Sequence, residues 1–153
     1  PTLVYGAGRD ASLSAMAHLG MRYGRLLLPR GACGLRQPVH VDDLADAAIA
    51  ACNMPSPRSG AYDVPGGEIL TYREMVQRVL ACLPASPRLH LLPLPLFRAL
   101  LLAARLRGLA RELTPAAIAR MVDDLVFDAQ PAQRDFGYAP RKFTPTAAMF
   151  QRS

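Results

Sequence analysis

Two glycines near the start of the sequence have the spacing of a phosphate-binding turn. Gly6 and Gly8 open a GAGRDA segment that fits the pattern G-x-G-x-x-G/A, and they follow an apolar run at 2–5. At such a turn the amides that open the next helix can hold a pyrophosphate. The acid that binds the ribose is expected about 20 residues further on, yet no acidic residue lies between Asp10 and Asp42. We expect a plain strand-to-helix turn and keep a self-sufficient dinucleotide site as an alternative.

A second group, His40, Asp42 and Asp43, has side chains of metal-ligand type. Neighbouring residues of an extended segment point to opposite faces, and no further cluster supports a site, so no metal is expected. Asp42 and Asp43 are instead predicted to cap the helix that follows. For His40 two interpretations remain, a substrate contact and a buried structural hydrogen bond, and the structural one is favoured.

The three cysteines do not form a recognisable pair. Cys33, Cys52 and Cys82 are odd in number and contain no C-x-x-C spacing. This pattern predicts reduced thiols in a cytoplasmic protein and no zinc site. Cys52 and Cys82 fall in helical patterns and are predicted to be buried.

Composition indicates one globular domain that does not bind nucleic acid. The chain has 153 residues, of which 51% are hydrophobic and 20% charged. That balance excludes a disordered chain. The net charge is +6, but the basic residues, all arginine except Lys142, are scattered and form no dense patch. We therefore expect no nucleic-acid partner.

The apolar periodicity predicts strands alternating with helices, which is an α/β architecture. Strands are predicted at 2–5, 37–41, 61–64, 88–92 and 125–127, whereas the run at 26–28 is a poor strand because it meets Pro29. Helices are predicted at 12–23, 44–51, 71–83, 94–113, 114–124, 131–135 and 144–151, the one at 94–113 either continuous or broken at Gly108. Thr71 and Glu74 have the spacing of a capping box.

The most apolar stretch runs from Leu89 to Leu113, and its apolar run is too short and too charged to span a membrane. A helix lying on a membrane surface is conceivable. Packing against a partner or a core is favoured, so membrane contact is not expected.

Four segments, in chain order, resemble one enzyme family. They are PTLVYGAG at 1–8, GLRQPVHVDDLADA at 34–47, AYDVPGG at 61–67 and DAQPAQRDFGYAP at 128–140. They are similar to the R-P-x-x-V-Y-G-P-G, R-x-x-x-H-V-x-D-L-A-x-A, Y-N-V-G-G and D-x-x-K-A-x-x-x-L-G-Y-x-P segments of extended short-chain dehydrogenases/reductases, the NAD-dependent epimerase/dehydratase family that includes nucleoside-diphosphate-sugar epimerases.

The resemblance implies an enzyme with two lobes. In that family the larger, Rossmann-type lobe binds NAD or NADP, and the smaller closes over a substrate that is typically a nucleotide sugar. Transient hydride transfer is helped by a Tyr-x-x-x-Lys pair on a helix. Here the only such spacing is Tyr138 to Lys142, and Pro140 forbids the helix. Residues 1–153 are therefore expected to be the C-terminal substrate-binding part, with no catalytic residue of their own, cut from an upstream Rossmann domain and inactive alone.

The resemblance also assigns binding residues. Pro1, Thr2 and Leu3 occupy the position next to the nicotinamide of NAD or NADP. Arg36 corresponds to an arginine that reaches the substrate diphosphate, with a solvated loop arginine as the alternative. Gln37, His40 and Arg9 are weaker candidates for substrate contacts.

Two departures point away from an ordinary sugar substrate. Leu3 stands where many sugar epimerases have asparagine, and no P-x-R-x-G-D loop follows 88–92. The family resemblance then implies a more hydrophobic or altered substrate. A non-catalytic interaction protein that retains the fold is the main alternative, and self-association through 2–5 or the leucine-rich helix is expected because half of a two-lobed enzyme exposes apolar surface.

Overall fold

Short strands alternate with helices along the chain. The computed structural model describes residues 3–6, 11–54, 60–108 and 118–150. Within these ranges the strands are β1 (Val4–Tyr5), β2 (Arg25–Pro29), β3 (Leu35–Arg36), β4 (Val39–His40), β5 (Leu70–Thr71) and β6 (Arg88–Leu92). The helices are α1 (Ala11–Tyr23), α2 (Val41–Cys52), α3 (Tyr72–Ala81), α4 (Leu94–Leu106) and α5 (Gln130–Phe136), followed by a 3-10 turn at Ala147–Phe150. The predicted α/β class is confirmed.

The strands pair in twos within the described ranges. β1 with β4 and β2 with β6 are parallel, whereas β3 with β5 is antiparallel. Parallel neighbours require a crossover connection. Helix α1 lies between β1 and β4 in the chain, and α2 and α3 lie between β2 and β6.

The expectation of a poor strand at 26–28 was wrong. These residues form the centre of β2, which pairs with β6 from Arg25 to Pro29. Proline has no amide hydrogen to donate. The amide of the next residue, Arg30, donates to Leu92 O at 2.8 Å, so the hydrogen bonding between the two chain segments continues beyond Pro29. Pro29 therefore ends the strand without preventing it.

The main core lies between α1 and α3. Leu13 and Ala17 of α1 and Met75, Val76 and Val79 of α3 are fully buried, and the two helices are in contact. Each set recurs at helical spacing, which places it on one face. Tyr5, Met75 and Met121 are also buried in this core.

Several helix ends follow the local sequence as predicted. The Thr71 hydroxyl accepts from the Glu74 amide at 3.2 Å, and the Glu74 carboxylate accepts from the Thr71 amide at 2.9 Å, which is the expected capping box. Helix α1 stops before Gly24, and α4 stops before Gly108, both at positive φ. The prediction for 94–113 is thus resolved to Leu94–Leu106, and 109–117 lies outside the described residues.

The prediction that Asp42 and Asp43 cap α2 was wrong, because His40 is the cap. The backbone of His40 is extended, and its Nδ1 accepts from the Asp42 amide at 3.2 Å. The ring nitrogen of His40 accepts the capping hydrogen bond that a carboxylate or hydroxyl oxygen usually accepts at this position. Both aspartates lie inside the first turn, where their charge suits the positive end of the helix dipole.

Other predicted elements are shorter or missing. Residues 61–64 form no strand; Tyr62 and Val64 instead pack against a small cluster around Ala47 and Tyr138. Of 125–127 only Leu125 makes a bridge, to Arg36. The last helix is a 3-10 turn instead of an α-helix over 144–151. At 61–64 and 125–127, side-chain contacts take the place of the expected strand pairing.

The cysteines are free thiols with different exposure. Cys33 and Cys52 are exposed, so the predicted burial of Cys52 was wrong. Cys52 is the last residue of α2, where the helix has left the core. Cys82 is half-buried, and burial raises the pKa of its thiol.

Asp43 ties α2 to the C-terminal segment. Its carboxylate is buried and accepts from the Arg141 Nε at 2.7 Å and the Arg141 amide at 2.9 Å. Neighbouring Asp42 is exposed and lies 3.8 Å from Arg141 Nη1. The buried carboxylate, with two directed hydrogen bonds, is the stronger tie.

We predict that Asp43→Ala lowers the thermal unfolding midpoint by roughly 5 °C or more, because the Arg141 amide loses its acceptor. Asp42→Ala is the matched control and should shift the midpoint by about 1 °C. Differential scanning calorimetry of both variants measures the difference. Equal shifts would show that the buried carboxylate has no special role.

A second tie joins Glu68, Arg78 and Phe143. The Arg78 guanidinium donates to both Glu68 oxygens, at 2.7 and 2.8 Å, and to Phe143 O at 3.1 Å. Glu68 also accepts from the Phe143 amide at 3.3 Å. The hydrogen bond from Arg78 is the main reason that the pKa of Glu68 lies below its ordinary value of 4.5.

This depressed pKa predicts a pH dependence. A carboxyl whose folded pKa is lowered stabilises the fold above its unfolded pKa and loses that effect as pH falls through the folded pKa. Glu68→Gln should therefore cost up to about 1 kcal/mol at pH 7, and its difference from the parent should shrink below pH 4.5. Urea unfolding from pH 7 to pH 3 measures this, with the exposed Asp63→Asn as control. A difference that persists unchanged at pH 3 would contradict it.

Candidate functional site

The residues predicted to lie beside the nicotinamide are only partly described. Leu3 is half-buried, packs against the main core, and accepts through its carbonyl from the Val39 amide at 2.9 Å. Pro1, Thr2 and Arg9 lie outside the described residues, and so does Gly8. The cofactor and substrate contacts assigned to them stay predictions.

Arg36 is buried, with 3% of its surface exposed, so the alternative of a solvated loop arginine was wrong. Its Nη1 donates to Leu35 O and Asp123 O, both at 2.6 Å. The guanidinium carbon lies 5.6 Å from the centre of the Tyr72 ring, a cation–π distance. Burial lowers the pKa of Arg36 and raises the pKa of Tyr72 to about 12, so the tyrosine is neutral near pH 7.

Gln37 faces the same segment as Arg36. The Gln37 Oε1 accepts from the Phe127 amide at 2.7 Å. On the other side of Arg36, the Leu35 amide donates to Asp124 Oδ1 at 2.7 Å, and Leu35 O accepts from the Leu125 amide at 2.8 Å. Together these bonds hold 34–37 against 121–127; we call this contact the Arg36 junction.

His40 has a structural role in addition to any contact with a substrate. Besides capping α2, its buried ring stacks edge-on to Tyr5 at 5.0 Å. Gly6 lies directly against it: a Cβ at Gly6 would approach His40 Nε2 to 2.8 Å, and its φ of +105° already favours glycine. Gly6 is therefore required by packing whether or not it approaches a phosphate. The substrate contact of His40 stays a prediction.

A groove of about 560 Å³ lies next to the Arg36 junction. One wall is a single face of α4 and the other is the segment 118–123. The lining residues are Leu94, Arg98, Leu101, Leu102, Arg105, Ile118, Ala119, Val122 and Asp123. Phe97, Leu101 and Ile118 are buried in one cluster beneath it. Asp123 belongs to both features, because its carbonyl accepts from Arg36.

This groove was not identified from the sequence, although two signals pointed to it. Leu94, Arg98, Leu101 and Arg105 recur at spacings of four, three and four residues, which places them on one helix face. Two arginines on an otherwise apolar face are unusual for a helix that only packs. The missing arginine loop after β6 predicted a more hydrophobic substrate, but the opposite wall depends on the Arg36 junction, which has no local signature.

Sequence comparison finds relatives whose function is not described. No protein-family model matches the chain. It is 26% identical over 151 residues to the uncharacterized protein YbjS of Escherichia coli K12, and 32% identical over 142 residues to the uncharacterized protein y4nG of Sinorhizobium fredii. The matches cover 92% of this chain but 44% of YbjS and 35% of y4nG, so the chain spans less than half of either relative.

Solved structures of NAD-dependent enzymes share the fold. The NDP-hexosamine 5,6-dehydratase TunA of tunicamycin biosynthesis aligns with 97% of this chain and 42% of its own, at a TM-score of 0.65 and 12% identity. MoeE5, solved with UDP-glucuronic acid and NAD, aligns with 93% of this chain and 40% of its own, at 0.62 and 18%. The dTDP-glucose 4,6-dehydratase DesIV of Streptomyces venezuelae aligns with 92% and 37%, at 0.59 and 20%.

These alignments confirm the predicted fold. The chain shares an α/β fold with about 40% of the length of these proteins. Among the described residues, none of the helices has the length and hydropathy needed to cross a membrane.

Gly34 tests whether the Arg36 junction shapes the groove. A Cβ at Gly34 would lie 2.5 Å from Asp123 O, whereas one at Gly31 in the same loop would meet nothing within 4 Å. We predict that Gly34→Ala costs about 2 kcal/mol, since the backbone of 122–123 must move. Gly31→Ala should change stability by less than about 0.5 kcal/mol. Urea unfolding compares them, and equal effects would show that the contact at Asp123 is loose.

Proposed function

We propose that this chain is the substrate-binding portion of an NAD(P)-dependent epimerase, dehydratase or reductase that acts by transient hydride transfer on a nucleotide sugar or a related substrate. The observation that carries the proposal is the extent of the structural match: nearly the whole chain aligns with about 40% of TunA, MoeE5 and DesIV. MoeE5 was solved with UDP-glucuronic acid and NAD. A cytoplasmic location is part of the proposal.

In this proposal the catalytic acid/base pair and most of the cofactor site belong to residues upstream of Pro1. Tyr138 is poorly suited to acid/base chemistry: its buried hydroxyl donates to Pro65 O at 2.7 Å, and burial raises its pKa to about 12. Lys142 is exposed, and 137–142 is not helical. NAD or NADP, when bound, would accept and return the hydride. Among the residues predicted to contact the cofactor, Leu3 lies within the described part of the chain, and its side chain is apolar.

The described residues would position the substrate. A groove between α4 and 118–123 is lined by described residues of both segments, and Asp123 joins it to Arg36. Since two backbone carbonyls already occupy Arg36 Nη1, we propose that Arg36 first fixes the wall of the groove and reaches a diphosphate only through its other donors. Gln37 would fix the same wall through Phe127.

The alternative is a non-catalytic interaction protein. The observation in its favour is the outer face of α4, where Leu96 and Leu100 are exposed on the side away from the groove-lining residues. Exposed leucines at helical spacing indicate a contact surface. Self-association through this face or through 2–5 is part of either proposal.

Titration with NADH and NADPH distinguishes the substrate-binding portion of an enzyme from a non-catalytic interaction protein. We expect the protein that includes the residues encoded upstream of Pro1 to bind one of them with measurable heat, and the chain alone to give none, because Leu3 offers only an apolar edge. Isothermal titration calorimetry measures both, and light scattering gives the oligomeric state. If the longer protein binds neither nucleotide while the chain forms dimers, the interaction protein is the better description.

A further inference from the structure

We propose that one end of the molecule binds an anionic membrane surface through the phosphates of its lipids. The residues of this end are exposed and lie where α1 ends and where β2 and β6 begin: Arg22, Tyr23, Arg25, Leu27 and Arg88. We call them the basic end. The inference goes beyond the proposed function, because these residues belong neither to the groove nor to the Arg36 junction.

The elements that form the basic end contain arginines and no acidic residue. No aspartate or glutamate occurs at 11–41 or at 75–111, whereas these two stretches contain ten arginines. The elements of the two stretches pack on each other, since β2 pairs with β6 and α1 contacts α3. The fold therefore brings arginines that are scattered in the sequence onto one side of the molecule.

Arg25 and Arg88 show this juxtaposition most directly. They are register partners at the first position of the parallel β2–β6 pair, and the Arg88 amide donates to Gly24 O at 3.1 Å. Adjacent strands lie about 5 Å apart, so the two side chains leave one face of the sheet as neighbours and repel each other. Within the described ranges neither arginine forms an ion pair. An anion at this end would offset the repulsion.

Exposed apolar side chains lie among these arginines. Tyr23 is 52% exposed, and the guanidinium carbon of Arg22 lies 5.5 Å from the centre of its ring. Leu27 is 39% exposed and lies on the same face of β2 as Arg25, since side chains of a strand alternate between faces. Tyrosine and leucine suit the boundary between headgroups and acyl chains, while the guanidinium groups meet lipid phosphates.

The shape and extent of the basic end favour a membrane over a protein or a small anion. It lies at a reversal of the chain, where Gly24 with a φ of +65° joins α1 to β2, and none of its residues lines the groove beside α4. A stable protein interface engages about 20–30 residues on each side, many more than the basic end offers. An anionic leaflet needs no fixed complementary shape to attract nearby arginines. The expectation of no membrane contact was drawn from the helix at 94–113, which is a different surface.

The test is flotation of the chain, and of the longer protein, with vesicles of phosphatidylcholine and phosphatidylglycerol or of phosphatidylcholine alone. We expect binding to the anionic vesicles only, and loss of this binding in high salt. Arg25→Gln with Arg88→Gln should weaken binding about tenfold or more, since each arginine near an anionic surface contributes roughly fivefold. Arg73→Gln with Lys142→Gln removes the same charge from exposed positions outside the basic end. This control should weaken binding less than about twofold.

A second set of variants tests the apolar contribution and the fold. Tyr23→Ser should weaken vesicle binding several-fold, whereas Leu96→Ser with Leu100→Ser, on the outer face of α4, should not. Because Arg25 and Arg88 repel each other, replacing either with glutamine should leave the thermal unfolding midpoint unchanged or raise it in low salt. The arginine variants therefore remain folded, and circular dichroism checks this for every variant.

Several results would overturn the inference. Absence of binding to the anionic vesicles, or equal binding to both kinds of vesicle, would exclude recognition of lipid phosphates. Binding that Leu96→Ser with Leu100→Ser abolishes, and that the arginine variants retain, would assign it to α4. Binding to polyglutamate but not to vesicles would make the basic end a surface for an acidic protein, and calorimetric binding of free glycerol 3-phosphate would make it a small-anion site. Binding by the chain that the longer protein lacks would show that upstream residues cover this end.

Discussion

The buried guanidinium of Arg36 is the contact on which the geometry of the site depends. A charge enclosed by protein is tolerated only where hydrogen bonds replace the water that it has lost. Here the carbonyls of Leu35 and Asp123 and the face of Tyr72 do so. Because Asp123 is also part of the groove wall, satisfying one cation fixes that wall against β3.

Around Arg36, hydrogen bonds to side chains join the two segments, where a longer sheet would use hydrogen bonds between backbones. A single bridge joins Arg36 to Leu125, and on either side of it the Asp124 carboxylate and the Gln37 amide oxygen accept from backbone amides of the opposite segment. A ladder of backbone bonds would force 121–127 to follow β3 in parallel register. Side-chain acceptors hold 121–127 at a few points only, so the segment can turn towards α4. This turn places Val122 and Asp123 beside that helix.

The parts of this fold that the sequence predicts are those that depend on local chemistry. Residues that are close together in the sequence determine the Thr71–Glu74 capping box and the glycines that end α1 and α4. Strand β6 is likewise predicted from its own short apolar run. The pairing of β2 with β6 joins residues that are 63 apart in the chain, and apolar periodicity cannot identify such partners. His40 as a cap and Gln37 as an acceptor escaped prediction for a related reason, since each polar side chain has several uses and only its neighbours in space select one. The family resemblance drew attention to Arg36 and His40 as candidate substrate contacts, and packing supplies a reason for both residues that needs no substrate.

Helix α4 has three faces, and each face lies in a different environment. Phe97 and Leu101 face the core cluster, Arg98 and Arg105 line the groove, and Leu96 and Leu100 are exposed. Leu94, Arg98 and Leu102 line the groove and are also exposed, so this face of α4 is a mixed polar and apolar surface that is open to solvent.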